Sequence, residues 1–178
     1  TSRGLGDVYK RQALTGQSGS STGSNNVAMG YLALGANTTG SLNIGIGVET
    51  LDGNTTGSYN VAVGKGALGN NTTADYNTAL GSISMNASTT GAGNTVLGYG
   101  ALKTNTTGSD NIAIGREALK ANTTASENIA IGRDALEECE KRGYRCTLVS
   151  DEPYTSGMDY EHYMHYKKLI AHICWAYL

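Results

Sequence analysis

The stretch Asn111-Ile112-Ala113-Ile114-Gly115 decides the fold of this chain, because close variants of it occur seven times. Each copy begins 17 residues after the previous one, from Asn26 to Asn128, without insertion or deletion. Seven copies in one register exclude coincidence, so the chain is a repeat protein in which each repeat forms one structural unit. We call each repeat a rung and number it from its asparagine as position 1.

Positions 1 and 5 are invariant, and we expect them to form structural ladders along the stack of rungs. An asparagine amide can donate to the rung on one side and accept from the rung on the other. Glycine at position 5 predicts a corner with positive φ or a close backbone approach. The predicted ladder residues are Asn26, Asn43, Asn60, Asn77, Asn94, Asn111, Asn128, Gly30, Gly47, Gly64, Gly81, Gly98, Gly115 and Gly132.

Positions 2 to 4 form the predicted strand of each rung. Positions 2 and 4 are mostly large and aliphatic, whereas positions 3 and 5 hold only alanine, glycine and one valine. Side chains alternate across a strand, so one face is bulky and the other is small. We expect the bulky face to fill the interior together with the leucine at position 9. The small face would then be covered by a neighbouring subunit.

The remaining positions predict turns and solvent-exposed surface. Positions 12 to 16 read Asn-Thr-Thr-Gly-Ser or a close variant, which is typical of a turn. The segment around position 9 is compatible with a strand or with a single helical turn. Stacked rungs rise about 4.8 Å each. The predicted fold is therefore an all-β parallel solenoid, or β-roll, of seven 17-residue rungs over residues 23–136, roughly 34 Å long.

The two ends of the chain differ from the array. Residues 3–12 look like translated linker sequence and residues 13–22 are rich in Gly, Ser and Thr, so we expect residues 1–22 to be non-native or linker sequence. Residues 137–178 predict a small α/β tail, with helices over 135–142 and 159–178 and a strand within 144–149. The last helical pattern runs to the final residue, which predicts truncation there.

Several features could mark sites, and each has a simpler explanation. His162, His165 and His172 could form a metal cluster with Cys174, but their spacing matches no common zinc motif and favours a polar helix face. Cys139 and Cys146 are compatible with a disulfide or with free thiols. The Asn-Thr-Thr segments are glycosylation sequons, although turn chemistry also explains them. They begin at Asn37, Asn54, Asn71, Asn105 and Asn122.

Composition excludes several classes of function. The net charge of −2 predicts no basic face for nucleic acid, and no apolar run is long enough to span a membrane. The 25 glycines and the absence of phenylalanine suit a thin solenoid with small residues along its axis. The rungs hold no recurring nucleophile–base pair and no aspartate ladder for calcium. We therefore predict no enzymatic activity, no cofactor and no metal site.

The repeat resembles the YadA-like head repeats of trimeric autotransporter adhesins, and similar arrays occur in phage tail fibres. The resemblance rests on Asn-x-Ala-Ile-Gly followed by Ala-Leu, and it covers residues 23–136. It implies a left-handed parallel β-roll in which three chains lie side by side in an extracellular attachment fibre. The rung departs from the family in its longer Asn-Thr-Thr-Gly turn.

The resemblance implies a structural and adhesive function on a cell surface or a virion tail fibre, as a homotrimer that contacts a protein or glycan receptor of a host cell or matrix. The exposed contact residues would be Tyr31, Tyr59, Tyr76 and Tyr99, although Tyr59 and Tyr76 share position 17 and could simply stack. A second hypothesis is a monomeric ice- or surface-binding solenoid that exposes a threonine ladder. Adjacent threonines face opposite sides, so at most one per rung would contribute.

Overall fold

The chain forms a parallel β-solenoid. The structure, a computed structural model, describes residues 22–136 and the pair 147–148. One three-residue strand lies at positions 2 to 4 of every rung. These strands are β1 (Val27–Met29), β2 (Ile44–Ile46), β3 (Val61–Val63), β4 (Thr78–Leu80), β5 (Thr95–Leu97), β6 (Ile112–Ile114) and β7 (Ile129–Ile131). The described residues contain strands and turns without a helix, which confirms the predicted all-β parallel roll.

The sheet order follows the chain order, and every strand pairs in parallel with the next. Each strand residue lies beside the residue 17 positions further on, as Val61 lies beside Thr78. A short strand β8 (Thr147–Leu148) adds to the end of the sheet and pairs Thr147 with Ile129. It lies within 144–149, where a strand is predicted. The rest of the tail, with the predicted helix over 159–178, lies outside the described residues.

The second side of each rung is a left-handed turn rather than a strand or a helical turn. Positions 7 and 9 have positive φ, as in Glu49 at 57° and Leu51 at 52°. A leucine in this conformation costs roughly 1–2 kcal/mol. Backbone bonds to the next rung offset that cost, such as Leu51 N–H to the Ala67 carbonyl at 3.1 Å and Gly53 N–H to the Gly69 carbonyl at 2.7 Å. Backbone hydrogen bonds therefore connect successive rungs on both sides of the coil.

The prediction of which strand face lies inside the coil is wrong. The small residues at position 3 form the core with the position 9 side chains: Ala62, Ala79, Val96 and Ala113 are fully buried. The bulky residues at positions 2 and 4 face outward and are never buried. The physical reason is the narrow coil, whose interior has room for one large side chain in each rung. The leucine at position 9, or Met85 in rung 4, occupies it.

The contact between position 3 and position 9 is visible at Gly45. A Cβ built on Gly45 would lie 3.5 Å from Leu34 Cγ and 3.5 Å from the Thr50 carbonyl oxygen, both ordinary packing distances. Gly45 is the only glycine at position 3, where the other rungs have alanine or valine. Rung 2 therefore lacks a methyl group that the interior can accommodate.

We expect Gly45→Ala to raise the free energy of unfolding by about 1 kcal/mol. The added methyl packs against Leu34, and alanine loses less backbone entropy on folding than glycine does. Denaturant unfolding at one fixed protein concentration measures the change. Ala62→Gly, at the same position of the next rung, is the matched control and should lose a similar amount. A destabilised Gly45→Ala variant would contradict this packing of the core.

Candidate functional site

The position 1 asparagines form a buried polar ladder through the described array. At each of the six steps the backbone N–H of one asparagine donates to the side-chain oxygen of the preceding one, at 2.9–3.0 Å. Each side-chain NH2 from Asn26 to Asn111 also donates to the backbone carbonyl at position 15, at 2.8–3.1 Å. Their hydrogen bonds are made within the array, so these residues hold the rungs together and present no binding groups.

A second asparagine ladder runs along position 12. Asn54 Nδ2 donates to Asn37 Oδ1 at 2.9 Å and to the Gly57 carbonyl at 2.9 Å, and Asn71 repeats the pattern. These are the sequon asparagines, and all five are at most 2% exposed. Their amides are used for turn and inter-rung bonds, which makes them inaccessible to a glycosyltransferase in the folded array. The sequence pattern predicted the turn but not this ladder. The sequence feature that could have indicated the ladder is the asparagine at position 12 in five of the six turns.

Ser88 interrupts the second ladder in rung 4. Asn71 Oδ1 and Ser88 Oγ are both buried and have no hydrogen-bond partner. Asn105, in the next rung, donates to the Gly108 carbonyl at 2.8 Å. Where two successive rungs both have asparagine at position 12, the second asparagine also donates to the side-chain oxygen of the first. A serine is too short to bridge two asparagines, so the array carries a polar defect at its centre.

We expect Ser88→Asn to raise the free energy of unfolding by about 2 kcal/mol. The new amide would donate to Asn71 Oδ1 and accept from Asn105 Nδ2, which satisfies buried polar groups that each cost about 1–3 kcal/mol when unpaired. Thermal and denaturant unfolding measure the gain. Ser88→Ala, which removes one unpaired hydroxyl and leaves Asn71 Oδ1 unchanged, separates the two effects and should gain much less. Loss of stability in Ser88→Asn would show that rung 4 cannot accept an amide.

The two threonines of each turn have different environments. The position 13 hydroxyls of Thr38, Thr55, Thr72, Thr89 and Thr106 donate to the position 13 carbonyl of the next rung at 2.9–3.1 Å. The position 14 threonines are exposed in all six turns. These are Thr39, Thr56, Thr73, Thr90, Thr107 and Thr124. The position 14 threonines therefore form a regular exposed column, and at position 13 only Thr38 and Thr123 are exposed as well.

The outward face of the sheet, which we call the strand face, is an apolar surface. It consists of the side chains at positions 2 and 4 of all seven rungs. They are Val27, Met29, Ile44, Ile46, Val61, Val63, Thr78, Leu80, Thr95, Leu97, Ile112, Ile114, Ile129 and Ile131. Met29 is 59% exposed and Leu97 49%, while the isoleucines are partly buried against one another. An ordered row of aliphatic side chains on a narrow sheet is thus left facing solvent.

Two margins border the strand face. The leading margin comprises the residues immediately before each position 1 asparagine: Asn25, Leu42, Tyr59, Tyr76, Gly93, Asp110 and Glu127. The trailing margin comprises the position 6 residues: Tyr31, Val48, Lys65, Ser82, Tyr99, Arg116 and Arg133. Every residue of the leading margin, including Gly93, has a positive φ between 56° and 70°. The chain runs from one margin to the other, so they lie at opposite ends of each strand.

The four tyrosines proposed as contact residues lie on these margins and are exposed by 51–63%. Tyr59 and Tyr76 stack on each other, with ring centroids 5.0 Å apart and planes at 15°, as their shared position predicts. Tyr31 and Tyr99 lie on the trailing margin. The structure therefore divides the tyrosines between the two sides of the strand face and does not gather them into one patch.

Charged side chains on the outer turns show small electrostatic effects. Burial, and then the nearby Glu49 carboxylate, raise the pKa of Asp52 above its ordinary value. A hydrogen bond from Lys120, at 3.0 Å, and the positive charges of Lys120 and Arg116 lower the pKa of Glu117. Asn86, the position 10 counterpart of Asp52, donates instead to the Gly66 carbonyl at 2.8 Å.

We expect Asp52→Asn to stabilise the array by about 1 kcal/mol at neutral pH, because the amide can copy the bond that Asn86 makes. The pKa of Asp52 is raised in the folded state, so the folded state holds this proton more tightly than the unfolded state. Wild-type stability should therefore fall relative to the variant as pH rises from the ordinary aspartate pKa through the raised one. Unfolding measured from acid to neutral pH checks this. A constant difference between the two proteins would contradict it.

The described residues contain no cluster of three or more His, Cys, Asp or Glu side chains that could hold a metal ion. Among the same residues, no helix is long and apolar enough to cross a membrane. The histidines His162, His165 and His172, for which a metal cluster was the disfavoured interpretation, and the cysteines Cys139 and Cys146 lie outside the described residues.

No protein-family model, no curated protein and no solved structure matches this chain. The described residues themselves define a class: a parallel β-solenoid whose interior is filled and hydrogen-bonded and whose strand face is apolar and open. The strand face with its two margins is therefore the candidate functional surface.

Proposed function

We propose that the chain is a structural and adhesive segment of a homotrimeric surface fibre, on a cell or a virion tail, that attaches to a protein or glycan receptor. The observation that carries the proposal is the strand face. Sheets of parallel strands are almost always covered on both faces, and a contiguous exposed apolar face usually marks an interaction site. In this array the inner face is covered by the core and the outer face is not.

Further copies of the chain are the simplest cover for the strand face. Seven strands spaced about 4.8 Å apart make a straight face about 29 Å long, which suits a partner of the same length and shape. Three strand faces, each about 20 Å wide with its margins, would form a triangle around a common axis, and each face would lie about 6 Å from that axis. This distance is close to half the separation of two packed sheets. Four would leave a channel at the axis. The resemblance to trimeric adhesin heads supports the same number.

The adhesive function follows from repetition. A trimeric rod presents the exposed threonine turn on six rungs and three sides, so weak contacts add through avidity and no deep pocket is needed. The part of the rung outside the strand face and its margins would remain exposed in the trimer. It carries the position 14 threonines and the charged outer turns.

The mass of the full chain in solution tests the proposal, by light scattering and native mass spectrometry. We expect a trimer. The double variant Leu80→Lys, Leu97→Lys should be a folded monomer, because both side chains are exposed in the single chain and would be buried in the trimer. Thr90→Lys, Thr107→Lys places the same charges on exposed turns of the same rungs, outside the strand face, and it should remain trimeric. A monomeric wild-type chain would overturn the proposal.

The threonine column supports one alternative, a monomeric ice- or surface-binding solenoid. The position 14 side chains are exposed and repeat in every turn. Thermal hysteresis of the wild-type chain, lost in Thr73→Lys, would favour this alternative. A trimeric chain without thermal hysteresis would exclude it.

A further inference from the structure

The two margins of the strand face carry opposite charges at strands β6 and β7. Strand β6 is preceded by Asp110 and followed by Arg116, and β7 is preceded by Glu127 and followed by Arg133. All four side chains are exposed. The acidic column thus lies entirely on the leading margin and the basic column entirely on the trailing margin of the same two rungs.

Within the described residues of one chain, no ion pair joins Asp110 to Arg116 or Glu127 to Arg133. The arginine is six positions after the acid, and an extended three-residue strand lies between them, so the two side chains start from opposite ends of that strand. The other carboxylates near the arginines offer little competition. Glu117 is bonded to Lys120 at 3.0 Å, and Asp134 lies 3.7 Å from Arg133 in an exposed pair of the kind that contributes little. The arrangement is explained if the opposite margin belongs to another copy.

Three further strands, β2, β3 and β5, have margin residues of compatible chemistry. Strand β2 has Leu42 before it and Val48 after it, so an apolar residue would meet an apolar residue. The margin residues before and after β3 are Tyr59 and Lys65, an aromatic ring and a cation, which attract each other. At β5 they are Gly93 and Tyr99, a small and a large residue.

We propose that neighbouring copies associate in parallel and in register, with the leading margin of one copy against the trailing margin of the next. Asp110 and Glu127 of one copy then pair with Arg116 and Arg133 of the next copy. Parallel copies around an axis along the rod always bring opposite margins together. Antiparallel copies would place the leading margin of one copy against the leading margin of the other. The acidic residues at the C-terminal end of one margin would then face the uncharged residues at the N-terminal end of the other. The inference rests on the proposed association of copies and specifies its direction and register.

Charge exchange tests the pairing in the full chain. The variant Arg116→Glu, Arg133→Glu makes both margins acidic, and Asp110→Arg, Glu127→Arg makes both basic. Each should need a protein concentration about tenfold higher or more to associate, because like charges would face each other. The fourfold exchange, which combines the two, restores opposite charges and should associate within about threefold of wild type. Since all four residues are exposed, cooperative unfolding should show that every variant is folded.

Mixing and a single-strand exchange test direction and register. Wild type refolded with the fourfold variant should give separate oligomers in native mass spectrometry, because every mixed interface joins like charges. The variant Asp110→Arg, Arg116→Asp exchanges charges around β6 alone. It should associate like wild type if β6 meets β6. It should be weakened if the copies are shifted by one rung, because the arginine introduced before β6 would then face Arg133 of the next copy.

The outcomes separate this inference from the proposed function. A monomeric wild type contradicts both. Wild-type association that both double variants retain, or that the fourfold exchange fails to restore, contradicts the pairing of margins and leaves the fibre intact. Statistical mixing of wild type with the fourfold variant also contradicts it. Weakened association of the β6 exchange contradicts the in-register arrangement alone.

Discussion

Gly64→Ala is expected to lower the free energy of unfolding by about 4 kcal/mol. Gly64 has a φ of +125°, a backbone conformation essentially restricted to glycine, which costs roughly 1–3 kcal/mol for other residues. A Cβ there would lie 2.7 Å from both the carbonyl carbon and oxygen of Gly81 and 2.9 Å from the Ser82 nitrogen. These are backbone atoms of the next rung, so they can yield only if the stack opens, and overpacking adds about 1–3 kcal/mol.

The matched control for Gly64→Ala is Gly45→Ala, at position 3 of the preceding rung, where the same methyl should stabilise the protein. Denaturant unfolding of both variants at one protein concentration distinguishes the effect of where the methyl group is added from the general effect of replacing glycine with alanine. A loss below about 1 kcal/mol in Gly64→Ala would show that the rungs can separate at this corner, and the position 5 ladder would not be a constraint on the fold.

Asn77→Ala is expected to cost about 4 kcal/mol as well. Asn77 Oδ1 accepts the Asn94 backbone N–H at 2.9 Å and the Asn94 side-chain NH2 at 3.1 Å, and its own NH2 donates to the Gly91 carbonyl at 2.9 Å. Truncation leaves the Asn94 N–H and the Gly91 carbonyl without these partners inside the coil. Each buried group left unpaired costs about 1–3 kcal/mol, and the lost side-chain volume adds to this.

Asn70→Ala controls for the loss of an asparagine amide as such. Asn70 donates to the Asn86 carbonyl at 3.0 Å at an exposed site, where water can replace the bond, so we expect a change within about 0.5 kcal/mol. Thermal unfolding followed by circular dichroism compares the two variants. Equal effects of Asn70→Ala and Asn77→Ala would mean that the buried ladder contributes no more than a surface contact.

The asparagine and glycine ladders explain how a thin coil with small residues can be a stable rod. The buried leucines supply one large side chain per rung, which is little apolar area for a 17-residue unit. The ladders add hydrogen bonds and close backbone contact at every step, and each rung contacts mainly its neighbours, as in other solenoids. A rod held together in this way can leave one sheet face uncovered, because its rungs are joined through their interior and their backbone.

Much of this architecture could be predicted from the sequence. The 17-residue period sets the rung, the aliphatic residues at positions 2 and 4 set the strand, and the invariant glycine sets the corner. The position of Ser88 as a defect is also readable, because it replaces asparagine in a single turn. The complementary margins are visible in hindsight as Asp110 with Arg116 and Glu127 with Arg133. Their meaning depends on the strand between them facing outward.

Only the tertiary structure decided which face of the strand lies inside. Alternation divides positions 2 and 4 from positions 1, 3 and 5, but it gives both faces apolar residues and does not orient them. The width of the coil decides: Leu68 already fills the interior of its rung, so Ala62 fits beside it and Val61 and Val63 must point out. The buried asparagine at position 1 has the same parity as position 3. The sequence by itself therefore determined the repeat, the parallel stack and its ladders, while the packing volume of the coil determined which strand face is left exposed.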